Sequence, residues 1–188
     1  MDKFDRAIQF ATAAHAGMTR KANDTPYIVH PLEVAAIAAS LTNDEDVLCA
    51  AVLHDTVEDT GVELIDLAFL FGDRVAYLVD TETEDKLPGL PKKETWQRRK
   101  ELSLELLNAT DDVDVRILWL SDKLSNMRAY ARMHEVQGND LWNNFNQSDP
   151  SRQAWYYRSV LEATRSLAAT TAWREYEWLM NTVFEGVE

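Results

Sequence analysis

The sequence predicts an all-α fold, a single-domain helical bundle of eight or nine helices. Glycine and proline are scarce, at six and five of 188 residues, alternating strand-like runs are few, and apolar residues recur at helical spacing almost throughout. A chain of this length usually builds one hydrophobic core, so we expect residues 1–188 to form one domain.

Five helices are predicted in the amino-terminal half, over residues 2–16, 31–41, 44–54, 62–71 and 73–84. Gly17 ends the first helix. Pro31 can open the second, because an N–H group in a first turn has no helical partner. Asn43 is the expected cap of the third helix, which is apolar around much of its circumference and should therefore be central. Gly72 separates the last two.

Four more helices are predicted over residues 94–109, 113–134, 151–169 and 172–185. Residues 84–93 contain two prolines and a glycine close together, which indicates a surface loop. Residues 138–150 are polar with interspersed aromatic side chains. We predict a loop there, with Trp142 and Phe145 exposed as a partner surface or as the rim of a pocket.

Composition restricts the classes of partner. A net charge of −13 would repel a polyanion, so bulk nucleic acid is excluded as a partner. No apolar run approaches the roughly 20 residues that span a bilayer, and the amino terminus lacks a secretory signal, so we expect a soluble, cytoplasmic protein. The single cysteine, Cys49, lies in an apolar run and should pack in the core. The sequence carries no signal for a particular oligomeric state.

Acidic and imidazole side chains recur inside apolar helices. Asp122 lies within "ILWLSDKLSNM", on one helical face with Trp119 and Asn126, and a buried carboxylate costs several kcal/mol unless it is neutralised, paired or metal-bound. Lys123 projects in another direction, so the sequence does not name the partner of Asp122. His54 and Asp55 raise the same question at the end of the central helix.

One divalent cation would account for these residues together. Two imidazoles and two carboxylates, from His30, His54, Asp55 and Asp122, suit a borderline metal such as manganese, iron or zinc. Taken singly, each has a simpler interpretation: His30 and Asp55 could cap helices, and Asp122 could be an ion-paired core acid. The residues alone leave these alternatives open.

Longer motifs carry a family resemblance. The ordered set of His30, the His54–Asp55 pair and Asp122 resembles the HD superfamily of metal-dependent phosphohydrolases. The surrounding segments are similar to the hydrolase domain of RelA/SpoT proteins and to stand-alone small alarmone hydrolases: "AHAGMTRKANDTPYIVHP", "AAVLHDTVEDT", "FGDRVAYLV", "ETEDKLPGLPKKETWQRRK", "LSDKLSNMR" and "WYYRSVL". The resemblance runs in order from about residue 5 to residue 165.

The resemblance implies hydrolysis of the 3′-diphosphate of ppGpp or pppGpp to GDP or GTP and pyrophosphate, usually with Mn²⁺, as in the stringent response. It implies metal ligation by His30, His54, Asp55 and Asp122. It implies that Glu58 and Asp59 position or activate water and handle the proton on the leaving group.

The resemblance also implies a small nucleotide substrate and the residues that contact it. Arg20 and Lys21 match a basic pair near the guanine and phosphates, and Lys123 and Asn126 match positions that face the nucleotide. Lys86, Arg99 and Lys100 could steady the pyrophosphate, although such side chains are commonly a solvated helix face.

Three departures from the family pattern affect the expected substrate. Met18 replaces a glutamine, "ANDT" replaces a glycine-containing loop, and Glu82 replaces a smaller apolar residue. Guanine preference is therefore less firmly implied than metal-dependent phosphoester hydrolysis. The alternatives are an HD phosphohydrolase for NADPH or a deoxynucleotide, and a non-catalytic nucleotide-binding module.

Overall fold

The protein folds as an all-α bundle in the computed structural model, which describes residues 2–20, 24–84, 89 and 91–187. Within these residues the helices are α1 (Lys3–Ala14), α2 (Val29–Ala38), α3 (Glu45–Leu53), α4 (Thr56–Asp59), α5 (Leu64–Phe71), α6 (Asp73–Glu82), α7 (Lys92–Ala109), α8 (Val113–Gln137), α9 (Pro150–Ala163) and α10 (Thr171–Val183). Two 3₁₀ helices cover Gly138–Asn144 and Arg165–Leu167. The described residues form no β-strand, and a lone antiparallel bridge joins Thr19 to Pro26. The all-α prediction is confirmed.

Helix α3 lies at the centre of the fold, as predicted. It packs against α1, α2, α6 and α8, and its last five residues, Cys49–Leu53, are all fully buried. Small side chains such as Ala50 and Ala51 let the neighbouring helices approach closely. The cap is Asp44, whose carboxylate accepts from the amide of Asp46, so the prediction of Asn43 as the cap is wrong by one residue.

Helix α8 crosses the bundle and contacts α2, α3, α6, α9 and α10. Its 25 residues begin after the cap Asp112 and end at Gly138, which adopts φ 55°. Buried positions such as Leu118, Leu120 and Leu124 occur around much of its circumference, because neighbouring helices surround it. A polar side chain on this helix is thus carried into the interior.

Two connections between the predicted helices have helical structure of their own. Thr56–Asp59 forms the single-turn helix α4, and residues 138–144, which were predicted as loop, coil into a 3₁₀ helix. Trp142 on that 3₁₀ helix is 1% exposed and stacks on Phe184, with ring centroids 5.1 Å apart. The prediction of an exposed Trp142 is therefore wrong, because the segment packs on α8 and the Trp142 ring stacks on Phe184, directly after α10. Phe145 is half-buried and does line a cavity rim.

No helix among the described residues combines the length and the apolar character needed to cross a membrane.

Candidate metal centre and nucleotide cleft

Three helices bring two imidazoles and a carboxylate together in the interior. His30 lies in the first turn of α2, His54 directly follows α3, and Asp122 lies in the middle of α8. One donor atom from each of the three lies within 4.8 Å of the other two. Nε2 of His30 is 3.1 Å from Oδ1 of Asp122, and Nε2 of His54 is 3.6 Å from the same oxygen. All three side chains are buried.

The fourth predicted ligand, Asp55, lies beside this group. Its Oδ2 is 3.0 Å from Nε2 of His54 and 3.5 Å from Nε2 of His30. Asp55 stands at the bend between α3 and α4, so its backbone ends one helix while its side chain turns toward the two imidazoles. The structure therefore brings all four predicted ligands to one place, with Asp55 at the solvent side.

The ring nitrogens of His54 are oriented for ligation. Nδ1 lies 2.9 Å from the carbonyl oxygen of Ala51. Because a carbonyl only accepts, Nδ1 carries a proton and Nε2 is the atom that faces Asp55 and Asp122. Nε2 makes no well-aligned hydrogen bond within the described part of the chain, although it is buried. A buried nitrogen without a satisfying partner, beside a second imidazole and two carboxylates, fits a borderline divalent cation.

The carboxylates and imidazoles shift one another's pKa. Burial alone would lower the pKa of His54, but the charges of Asp55 and Asp122 outweigh burial and hold it well above its usual value. Burial would raise the pKa of Asp122, yet the ammonium of Lys123 and the imidazoles of His30 and His54 hold it well below its usual value. A cation that binds Nε2 of His54 must displace a proton, so cation affinity should rise with pH.

Lys123 is the partner of Asp122 that the sequence did not name. Its ammonium group forms an ion pair with Asp122 and lies 3.4 Å from Oε2 of Glu82. It also lies 4.7 Å from the ring centroid of Trp119. The expectation that Lys123 projects elsewhere is wrong, because its four-carbon stem lets the ammonium fold back toward the adjacent side chain.

The acidic pair of α4 lies on the wall of the cleft. Glu58 and Asp59 line both a cavity of about 360 Å³, which also includes His30, Asp55 and Asp122, and a neighbouring cavity of about 220 Å³. Burial, followed by the charge of Asp55, raises the pKa of Glu58. A carboxyl group with a raised pKa is suited to proton transfer near neutral pH.

Tyr27 links the acidic pair to the predicted ligands, and sequence reasoning missed it. Its hydroxyl is 2.7 Å from Oδ2 of Asp55 and 3.1 Å from Oδ2 of Asp59. Burial and these two carboxylates raise the pKa of Tyr27, so the phenol stays protonated and available as a donor. Tyr27 lies in the turn before α2, so helical periodicity gave no signal of this contact.

Four of the predicted substrate contacts line the larger cavity: Arg20, Lys100, Lys123 and Asn126. Arg20 donates from Nη2 to Oδ1 of Asn126 at 2.7 Å, and Asn126 donates to Oδ1 of Asp122, also at 2.7 Å. The amide of Asn126 thus connects a basic side chain to the metal-binding group.

Arg99 and Lys100 are drawn together by one acid. Arg99 lines the smaller cavity and donates to Oε2 of Glu84 at 2.6 Å, while Lys100 lies 3.4 Å from the same oxygen and 4.6 Å from the ring centroid of Tyr156. Arg99 is buried, so it is not part of a solvated helix face. The other two predicted contacts, Lys21 and Lys86, lie outside the described residues.

This chain is similar to proteins of known sequence. The chain matches the HD domain family over residues 7–146. It is 37% identical over 131 residues to a GTP pyrophosphokinase of Brucella ovis, covering 70% of this chain and 17% of that protein. It is 35% identical over 174 residues to a probable GTP pyrophosphokinase of Mycobacterium leprae, covering 92% and 20%. This chain thus spans about a fifth or less of the length of these relatives.

Solved structures share this fold over most or all of the chain. One, of a metazoan orthologue of SpoT that hydrolyses ppGpp and plays a role in starvation responses, has a TM-score of 0.75 and 28% sequence identity, covering 100% of this chain and 98% of its own. Another, from Listeria monocytogenes, has a TM-score of 0.72 and 29% identity, covering 83% and 99%. With the family match extending over most of its length, this chain belongs to the HD domain family.

Proposed function

We propose that this protein is a metal-dependent hydrolase that removes the 3′-diphosphate of guanosine alarmones, converting ppGpp or pppGpp to GDP or GTP and pyrophosphate. One observation carries the proposal: a single cavity is lined by three of the four donors of a cation site, by an acidic pair and by basic side chains. The ppGpp hydrolysis of the metazoan SpoT orthologue, similar to this chain over its full length, supports the choice of substrate.

The proposed cation site consists of His30, His54, Asp55 and Asp122, and Mn²⁺ is the proposed ion, with iron or zinc as alternatives. A divalent cation held by these donors would acidify water, from a pKa of 15.7 toward roughly 7, and screen the charge of the attacked phosphoryl group. The protonated Nδ1 of His54 leaves its Nε2 directed at that position.

Glu58 and Asp59 are the proposed proton-handling pair. Glu58, whose pKa is raised by burial, is the proposed donor of a proton to the 3′ oxygen as the bond from that oxygen to phosphorus breaks. Asp59, fixed by the hydroxyl of Tyr27, is placed to orient the attacking water. General acid–base work of this kind typically contributes on the order of 10²-fold or more.

Basic side chains along the cleft would hold the nucleotide. Arg20 and Asn126 line the larger cavity near the donors, and Lys100 lies on the wall between the two cavities. A guanidinium group binds phosphate with two parallel hydrogen bonds, whereas an ammonium acts as a point charge. We therefore assign phosphate orientation to Arg20 and hydrogen-bond donation to the phosphates to Lys100 and Lys123, whose charges are already paired with acids.

The direct test is to incubate protein loaded with Mn²⁺ with ppGpp and to measure GDP and pyrophosphate by ion-exchange chromatography. An Asp122→Asn variant purified in parallel controls for contaminating phosphatases and should be inactive. No turnover with any divalent ion refutes the proposal. A panel containing NADPH and deoxynucleotides tests the substrate, and a higher kcat/KM for one of these would replace ppGpp. Tight nucleotide binding without turnover would instead indicate a non-catalytic module.

A further inference from the structure

The imidazole of His30 is held by a serine from another helix. Nδ1 of His30 on α2 lies 2.9 Å from Oγ of Ser125 on α8, and Ser125 is 1% exposed. The serine hydroxyl in turn donates to Oε2 of Glu33 at 2.7 Å. Ser125 therefore lies between a buried imidazole and a carboxylate, both on α2.

Donor and acceptor capacities fix the direction of this chain of hydrogen bonds. An ionised carboxylate only accepts, and a serine hydroxyl has one proton to give. Because that proton goes to Glu33, the serine oxygen must accept from His30, whose Nδ1 is then protonated. Nε2 of His30 is consequently the nitrogen left to face Oδ1 of Asp122, 3.1 Å away.

Glu33 is paired with a further side chain. Its Oε1 accepts from Nη1 of Arg128 at 3.2 Å. Arg128 also donates from Nε and Nη2 to the two carboxylate oxygens of Glu175 on α10, at 2.6 and 2.7 Å. This series of hydrogen bonds begins at the buried imidazole of His30, ends at partly exposed side chains, and links α2, α8 and α10.

Ser125 does not behave as an ordinary buried helical serine. The usual arrangement is that of Ser121, one turn earlier on α8, which is fully buried and donates to the carbonyl of Ile117 at 2.7 Å. Ser125 instead gives its proton to a side chain 92 residues away. The two imidazoles are held in different ways. Nδ1 of His54 contacts a backbone carbonyl, which no side-chain substitution removes, whereas the partner of His30 is a side chain that can be substituted.

We propose that Ser125 is a positioning residue that, with Glu33, fixes the tautomer and ring orientation of His30 for cation binding. The proposal rests on the proposed function, since it concerns the same cation site. Removing such a partner of a ligating histidine typically costs 10–100-fold in metal affinity or activity. The effect should appear in cation affinity itself, independently of any nucleotide.

The experiment measures Mn²⁺ affinity by isothermal titration of the full chain, for wild type, Ser125→Ala, Glu33→Gln and the matched control Ser121→Ala. We expect Ser125→Ala to bind Mn²⁺ at least about tenfold more weakly. Glu33→Gln should lose less, because an amide still offers an oxygen to the serine. Ser121→Ala should stay within about twofold of wild type. At saturating Mn²⁺, the KM of Ser125→Ala for ppGpp should equal the wild-type KM.

Several results would overturn the inference. They are wild-type affinity in Ser125→Ala, an equal loss in Ser121→Ala, or no Mn²⁺ binding by the wild type. If Ser125→Ala fails to fold, Glu33→Gln carries the test, and unchanged affinity in that variant overturns the inference. Weakened Mn²⁺ binding in a protein that does not hydrolyse ppGpp would refute the proposed substrate while supporting the role of Ser125.

Discussion

Glu82 offers a test of the electrostatics of the site through protein stability. Its side chain is 3% exposed, and its nearest cation is Lys123, which it shares with Asp122. Burial is the larger influence and Lys123 only partly offsets it, so the pKa of Glu82 rises from 4.5 to about 7. We expect Glu82→Gln, which keeps the shape and removes the charge, to change how stability depends on pH.

The size and sign of the expected change in the free energy of unfolding follow from proton linkage. One unit of pKa difference corresponds to about 1.4 kcal/mol, so raising this pKa from 4.5 to about 7 corresponds to roughly 3 kcal/mol. The folded state binds this proton more tightly than the unfolded state. The stabilisation of the folded state by the proton on Glu82 is therefore complete below about pH 4.5 and is lost as pH rises through about 7.

The assay is urea unfolding of wild type and Glu82→Gln between pH 5 and pH 8, with a chelator so that cation binding does not contribute. The free energy of unfolding of wild type, relative to the variant, should fall by about 2 to 3 kcal/mol over this range. Glu162→Gln, at an exposed glutamate on α9, is the control and should follow wild type. A difference between wild type and Glu82→Gln that does not vary with pH would show that Glu82 is ionised at no cost, and our account of its burial would be wrong.

Three further predictions concern the cation and the proton-handling pair. Asp55→Asn should abolish both metal uptake and activity, as measured by metal analysis and turnover, while circular dichroism shows nearly unchanged helicity. Full activity in this variant would remove Asp55 from the ligand set. Glu58→Gln should retain the metal and lose kcat by on the order of 10²-fold, whereas loss of metal would make Glu58 a ligand. Tyr27→Phe removes a hydroxyl whose single proton is shared between two carboxylates, an interaction worth about 1.5–3 kcal/mol in total, and should weaken Mn²⁺ binding by about tenfold or more in calorimetry; unchanged affinity would contradict the linking role of its hydroxyl.

Helix content and the central position of α3 were predictable because they depend on periodicity. The run before His54 is apolar on nearly every face, and such a helix has to be surrounded. Helix α4 was not predictable in the same way, since Thr56–Asp59 is one turn and too short to show a period. The burial of Trp142 escaped prediction for a related reason: its neighbours are polar, and its partner Phe184 lies 42 residues further along the chain.

The site was predictable as a set of residue types but not as a network. His30, His54, Asp55 and Asp122 were identified from their order and from the motifs around them. The residues that orient them were missed, because Tyr27 and Ser125 act through hydroxyl groups whose partners are remote in sequence. A helical wheel reports which face a side chain occupies, and it carries no information about which of several remote carboxylates receives its proton.

The charges of the cleft have a consequence for substrate binding that the sequence could not reveal. Arg99 and Lys100 share Glu84, and Lys123 is shared by Glu82 and Asp122. These cations thus reach the cleft already compensated by acids, so among the described residues they add little net attraction for a phosphate. A divalent cation between His30, His54 and Asp122 would add two positive charges to a site that otherwise presents the carboxylates of Asp55 and Asp122 to an anionic substrate. Nucleotide affinity should therefore depend on the cation more than on any single basic side chain.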